Sequence, residues 1–299
     1  MYGYLPALIE CGAKVALPER YRAVIAGRSE LAQYLPDVIW CADIDAALAR
    51  ATGAVIALRP ADQAGWLPRL AQAPAIRDLI LEKPVAPEPQ LATQVLEALE
   101  HARKRYRVGY TFRFMPWAAR LRTILGEGAD GLSLDWSFMA HHYRAALDNW
   151  KRWDASGGGA LRFYGIHLIA LLAELGYDDV AMSTMTGPSE AETSSWVAVF
   201  TAKTLPPFAL RVDSRAPHTS FSIAASRRGK SDLMVIDQLD PFTSTSSSPN
   251  SRDPRVDVLA QLVRSLGETC VDHAQRQRSI IALWGRVEAI SRRAAAPGS

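Results

Sequence analysis

Asp78-Leu79-Ile80-Leu81-Glu82-Lys83-Pro84 is a short apolar run closed by a charged pair and a proline. Such a run is too brief for a helix. Its unbroken apolarity predicts a strand covered on both faces, as in a parallel sheet. A helix-like stretch follows over 89–104, and Val108-Gly109-Tyr110 reads as the next strand. Upstream, Lys14-Val15-Ala16-Leu17 and Ala54-Val55-Ile56-Ala57-Leu58 share the same pattern, with a helix-like piece over 64–71. Strands alternating with helices predict βαβ units and a parallel sheet over residues 1–108.

From residue 109 the pattern changes. Leu132-Ser133-Leu134-Asp135-Trp136-Ser137-Phe138 alternates with period two, and so do parts of 196–201, 208–214 and 221–225. These predict half-buried strands of a largely antiparallel sheet. The stretch 159–175 is helical in pattern, with glycines before it and Gly176 just past its end. The Ser/Thr/Pro tract 243–250 reads as a surface loop, and 256–270 and 274–296 as closing helices. The chain thus divides into 1–108 and 109–299.

The 299 residues carry 34 Lys+Arg against 31 Asp+Glu, a net charge of +3, with 48% hydrophobic and 22% charged residues. That composition is globular, and its length suits two domains that each bury a core. A nearly balanced charge argues against nucleic-acid binding, which needs a concentrated basic face. Arg103-Lys104-Arg105 and Arg227-Arg228-Gly229-Lys230 are short and read as solvated edges. Cys11, Cys41 and Cys270 are scattered and odd in number, which predicts no disulfide framework, no metal site and a reducing cytoplasm. No secretory leader is read at the amino terminus, and no stretch reads as a membrane span.

Four segments could carry chemistry. Glu82-Lys83-Pro84 stands at the carboxyl end of a predicted strand, where open α/β sheets bind ligands. An X-Pro bond is cis at small cost, and a lysine carries protons usefully once burial or a neighbouring cation lowers its pKa. Gly157-Gly158-Gly159-Ala160-Leu161 precedes Gly165-Ile166-His167, placing His167 on the helix that the glycines introduce. Gly109-Tyr110-Thr111-Phe112-Arg113-Phe114-Met115-Pro116 sits at the domain junction, and Asn149-Trp150-Lys151-Arg152-Trp153-Asp154 offers amphipathic side chains to a sugar or nucleotide. Each also has a structural reading: a solvated turn, a core histidine, a linker with Arg113 ion-paired, or packing.

Taken in order, these segments resemble the glucose–fructose oxidoreductase/inositol dehydrogenase (Gfo/Idh/MocA) family over nearly the whole chain. Leu58-Arg59-Pro60-Ala61-Asp62-Gln63 is similar to a strand-end segment of that family, with Gln63 where histidine is usual. The resemblance implies a Rossmann-like α/β domain binding NAD or NADP, followed by an α/β domain whose sheet mediates oligomers. Lys83 and His167 would be the catalytic lysine and histidine. Gly3, Glu19, Arg20, Arg59, Pro60, Gln63, Glu82 and Arg113 would line the cofactor. Tyr110, Tyr143, Trp150, Lys151 and Tyr164 would line the substrate, with His142 and Arg152 nearby. Glu19 suits a free ribose 2′-hydroxyl and Arg20 a 2′-phosphate, so both dinucleotides stay open. The partners implied are a small sugar-like molecule and further copies of the chain, as a dimer or tetramer, with no nucleic acid and no membrane.

Two departures stand out. Phe163 occupies the position four before His167 where the family usually has aspartate, and Ala170 replaces another. Phenylalanine cannot orient or charge-stabilise an imidazole. Secondly, Met1-Tyr2-Gly3-Tyr4 matches only the end of a G-x-G-x-x-G fingerprint, so the central first strand has no residues. The strands at Lys14 and Ala54 should then stand roughly 9 to 10 Å apart, twice the strand spacing. The expectation is that Met1 lies inside a longer reading frame; the alternatives are a sheet that closes without that strand, or another segment in the slot. The function implied is hydride transfer between nicotinamide and a sugar, polyol or nucleotide-sugar hydroxyl or keto group. The alternatives are a redox-impaired member kept as a binding or partner subunit, and a lyase or glycosidase using its NAD transiently.

Overall fold

The computed structural model describes residues 3–227, 230–242, 253–268 and 272–294; the tract 243–250 and Cys270 lie outside them. The first part of the chain runs α1 (Tyr4–Glu10), β1 (Val15–Pro18), α2 (Arg22–Ala26), α3 (Ser29–Ala32), β2 (Val38–Cys41), α4 (Ile44–Ala49), β3 (Gly53–Ile56), α5 (Pro60–Gln72), β4 (Asp78–Leu81), α6 (Pro89–His101) and β5 (Arg105–Val108). The second runs α7 (Pro116–Gly126), β6 (Gly131–Met139), α8 (His141–Arg144), a π-helical turn (Ala160–Gly165), α9 (Ile166–Leu175), β7 (Asp179–Thr186), β8 (Ser195–Thr201), β9 (Phe208–Asp213), β10 (Arg215–Arg227), β11 (Lys230–Gln238), α10 (Pro254–Arg264), α11 (His273–Ile290) and β12 (Arg292–Arg293).

The α/β class, with small parallel sheets early in the chain and a larger mixed sheet later, follows the reading of the sequence. The parallel strands form two sheets, one of β1 and β2 and one ordered β3-β4-β5, with no ladder between β1 and β3 among the described residues. Helix α1 bridges them. Leu5 packs with Val15 and Val38, while Tyr4 and Ala7 pack with Ile80 and with Val256 and Leu259 of α10. Close packing also explains Gly3, whose missing Cβ would lie 2.5 Å from the side chain of Leu259. The larger sheet is ordered β11-β10-β6-β9-β8-β7-β12 and is mostly antiparallel, with β6–β9 and β12–β7 parallel.

Several boundaries differ from the sequence reading for local reasons. β3 ends at Ile56, since Ala57 and Leu58 are exposed. The strand expected at 108–110 lies at Arg105–Val108. Gly109 N–H still reaches the Leu81 carbonyl, but Thr111 N–H bonds the Gly109 carbonyl around Tyr110 at φ −76°, ψ 75°, an inverse γ-turn that ends the strand. That strand was obscured by two arginines. Arg105 pairs with Asp78, and buried Arg107 donates to the carbonyls of Ser265 and Glu268. Helix α6 stops at His101 rather than 104, where Arg103 takes φ +54°. Helix α11 stops at Ile290, and Arg292–Arg293 join β7 instead. β2, β7, β11 and β12 were not read from the sequence.

The stretch 154–175 reaches the length and apolarity of a membrane-crossing helix, which the sequence reading did not credit to any stretch. Here it is a core element, with Leu161, Ile166 and Leu168–Leu172 buried. It opens as a π-helix and becomes regular at Ile166, ending at Gly176 with φ +103°, a left-handed cap of the kind expected there. Gly165 lies at the change of pitch, against the indole of buried Trp196; a Cβ there would stand 2.4 Å from Trp196 Cζ3. Replacing Gly165 by alanine should therefore overpack the core and destabilise the protein by about 1–3 kcal/mol, read as a lower urea midpoint at unchanged slope. A midpoint equal to wild type would show that Trp196 moves freely.

Candidate active site

The register of β3, β4 and β5 sets Ile56, Leu81 and Val108 side by side. The segments leaving them, Arg59-Pro60, Glu82-Lys83-Pro84 and Gly109-Tyr110, consequently share one edge of the sheet. Gln63, buried in the first turns of α5, clamps the middle segment. Its Nε2 donates to the Glu82 carbonyl at 2.7 Å and the Val85 carbonyl at 3.0 Å, and its Oε1 accepts from Glu82 N–H at 3.0 Å. In this structure the Gln63 amide bonds main-chain groups of the turn. The Lys83–Pro84 bond is cis, and Lys83 N–H donates to Glu82 Oε2 at 3.1 Å.

The three glycines at 157–159 serve neighbouring chain rather than open space. A Cβ on Gly157 would press on Pro60 at 2.9 Å and Pro84 at 3.3 Å; one on Gly158 would strike the Trp150 carbonyl at 2.4 Å. Gly157 and Gly159 also take φ of +80° and +77°. The glycine run thus seats the π-turn directly on two of the strand-end segments.

That contact brings Lys83 under the π-turn. Its Nζ donates to the main-chain oxygen of Phe163 at 2.7 Å and lies 3.7 Å from the centroid of the Phe163 ring. Lys151 Nζ stands 5.2 Å from the same ring. Phe163 is met edge-on by Trp150 at 5.3 Å and by Tyr164 at 4.8 Å. Tyr164 continues the cluster to Phe138, Trp136 and His142, and His142 touches Tyr143. Of the residues expected to line a substrate, Trp150, Lys151, Tyr164 and Tyr143 are therefore joined to Lys83 by a chain of ring contacts. Tyr110 is instead part of the buried core.

Burial lowers the Lys83 ammonium pKa to about 8; Glu82 opposes the shift and Lys151 adds to it. His167 is buried and stacks on Phe112 at 4.7 Å, and no group among the described residues bonds its Nδ1. Burial, aided by Lys83, holds its pKa well below the ordinary 6.5, so the imidazole is neutral at pH 7. His142 is depressed to about 4 by burial and by Lys151 and Arg152. A lysine that titrates near neutral pH beside a neutral imidazole can hold or release one proton at this edge.

The other expected cofactor residues are scattered. Glu19 and Arg20 form an exposed turn after β1, with Glu19 paired to Arg22 at 2.7 Å and Arg20 over the Tyr21 ring. Arg59 is exposed and precedes buried Pro60 at the start of α5. Arg113 pairs with Glu174 and lies over Phe114, which is its structural reading. Sequence reasoning missed Tyr4 and Phe112. The Tyr4 hydroxyl is buried near Glu82, and burial and that carboxylate push its pKa well above 10.0. It also stands 3.2 Å from where a Gly109 Cβ would be. Both lie in segments singled out for other residues, Tyr4 beside Gly3 and Phe112 between Tyr110 and Arg113.

The lowered Lys83 pKa fixes the sign of a stability effect. Because the folded value lies below the unfolded 10.5, the protonated lysine opposes folding, fully so below pH 8. The opposition fades as pH rises to 10.5. The stability of wild type relative to Lys83→Met should thus increase by up to about 3 kcal/mol between pH 8 and 10.5, at 1.36 kcal/mol per unit. Urea unfolding of both proteins across that range measures it, and a flat difference would mean that Lys83 titrates as an exposed lysine.

No protein-family model matches the chain, and no curated protein matches it by sequence. Solved structures do share its fold. GenD2 from gentamicin A biosynthesis, in complex with NAD, superposes with TM-score 0.71 at 16% identity, over 97% of this chain and 90% of that one. KijD10, a 3-ketoreductase from Actinomadura kijaniata in complex with NADP and TDP-benzene, gives 0.68 at 14% identity, over 98% and 95%. The WlbA dehydrogenase from Bordetella pertussis, in complex with NADH and UDP-GlcNAcA, gives 0.68 at 17% identity, over 96% and 90%.

Proposed function

We propose that this chain is an NAD(P)-dependent oxidoreductase that moves a hydride between nicotinamide and a hydroxyl or keto carbon of a nucleotide-linked sugar. The observation that carries the reading is Lys83, a buried lysine with a pKa near 8 at the end of a parallel strand, next to neutral His167. Similarity of fold to dehydrogenases and ketoreductases crystallised with NAD, NADP and nucleotide sugars supports it.

The strand-end edge fits a nicotinamide nucleotide by its chemistry. It offers the Glu82 carboxylate, the part-buried Lys83 ammonium and, among the described residues, an unpartnered nitrogen on His167. When bound, the nicotinamide supplies the acceptor or donor of hydride. Arg59, Pro60 and Glu82 would hold its ribose and ring, and Glu19 and Arg20 the adenosine ribose. Lys83 takes the hydroxyl proton when an alcohol is oxidised and returns it when a ketone is reduced. His167, kept neutral, stands beside the lysine without adding a second positive charge to the site. Trp150 and Tyr164 supply apolar faces for a sugar, and Lys151 and Arg152 supply charge for a phosphate or carboxylate. Half-buried Val197 and Val199 on the outer face of the large sheet support association of two or four copies through that face.

Binding of NAD(H) and NADP(H) is read by native mass spectrometry, and turnover by nicotinamide absorbance against a panel of nucleotide sugars. Lys83→Ala should keep nucleotide affinity and lose about 10²–10⁴ in kcat. Oxidation should rise with pH through about 8, where the amine becomes neutral, and reduction should fall through the same value. Undiminished turnover by Lys83→Ala would remove the lysine from the reaction. The absence of a carboxylate at position 163 favours a second reading, a binding or partner subunit, and nucleotide binding without any turnover would put that reading first.

A further inference from the structure

We propose that Phe163 is the positioning residue of Lys83: its main-chain oxygen and its ring fix the ammonium, and the ring does so without adding a second carboxylate beside it. The inference rests on the reading of Lys83 as the proton carrier, and it assigns a role to a residue that the sequence presents only as a loss.

Three observations carry it. The bond from Nζ to the Phe163 oxygen is short and links positions 80 apart in the chain, so it is set by tertiary structure alone. The ring lies in cation–π range of the same ammonium, at 3.7 Å. And the ring is itself held, edge-on between Trp150 and Tyr164, so its position does not depend on the lysine.

The charged groups around Lys83 decide what this does. Glu82 is the carboxylate nearest in sequence, and its Oε2 accepts from the Lys83 main-chain N–H. Lys151, on the loop before the glycine run, faces the same Phe163 ring and pushes the Lys83 proton off. His167, on α9, is neutral. An aspartate at 163 would add a fixed negative charge to this set and hold the proton on the lysine. A phenylalanine gives directional hold at low charge: the carbonyl and the ring face favour the cation weakly, and dehydration disfavours it strongly. Lys83 therefore keeps a defined place without a salt bridge that would have to break at each proton transfer.

The chain has six lysines, Lys14, Lys83, Lys104, Lys151, Lys203 and Lys230, few enough for every side chain to be followed. The experiment is a ¹H–¹³C NMR titration of lysine-labelled full-length protein, with Lys83 assigned from Lys83→Arg. The wild-type Lys83 ε-methylene protons should lie upfield of the other five through the ring current of Phe163. Their midpoint should fall near 8, below the rest. Phe163→Leu should abolish the upfield shift, Phe163→Tyr should keep it, and Phe163→Asp should raise the midpoint by about one pH unit or more, a tenfold or greater change in proton affinity. Lys83 protons resonating with the other lysines in wild type, or a midpoint unchanged in Phe163→Asp, would overturn the proposal. The wild-type measurement alone is decisive should a variant fail to fold. None of these readouts needs nucleotide or turnover, so failure of the oxidoreductase reading and failure of this one are told apart.

Discussion

One bond, from the Lys83 ammonium to the main-chain oxygen of Phe163, ties the parallel half of the chain to the half built on the mixed sheet. Burying an ammonium is costly unless donors find acceptors, and the surroundings offer few. Around this constraint the neighbouring elements are arranged. The Gln63 amide holds the turn that aims the lysine, and the glycine run seats the π-turn on Pro60 and Pro84. Gly165 leaves room for Trp196 beneath. Each of these contacts is made by a residue whose neighbours in sequence are doing something else, and together they fix the distance between one nitrogen and one oxygen.

The parts of this arrangement differ in how plainly the sequence shows them. Strands such as Asp78–Leu81 and Phe208–Asp213 bury apolar side chains with their own period, so the period betrays them. Arg105–Val108 does not, because its arginines are satisfied by Asp78 and by carbonyls some 160 residues away, contacts with no local trace. β2 is similarly hidden: four residues around a tryptophan carry too little pattern to separate strand from turn. At the site, Lys83 and His167 are visible because their segments are distinctive in composition. Gln63 is visible as a residue but not in its role, since an amide can bind a ligand or a backbone turn with equal chemistry. The Phe163 oxygen is invisible in principle, because every residue has a carbonyl and only the fold selects one.

The spacing of Phe163 and His167 illustrates the same limit. Four residues apart on an α-helix they would share a face. The π-turn over Ala160–Gly165 changes the winding between them, and they meet different partners. Phe163 is packed by Trp150 and Tyr164, His167 by Phe112. Wide turns of this type recur at functional sites, where they present a group that a regular helix would bury or turn away. Here the group presented is a phenylalanine, and its effect is electrostatic through what it omits.

The ends of the described chain bear on the same site. Helix α10, late in sequence, packs on α1, where Leu259 fills the space that Gly3 leaves. The α1 residue next to it, Tyr4, reaches Glu82. Glu82 is thus approached by a phenol from α1 while its carboxylate accepts the Lys83 main-chain N–H. Protons placed on Tyr4, Lys83 and His167 are all governed by burial first, and next by Glu82 for Tyr4 and Lys83 and by Lys83 for His167. The proton affinity of the site is in this sense a property of how far burial at the ends of the parallel strands keeps water from these groups.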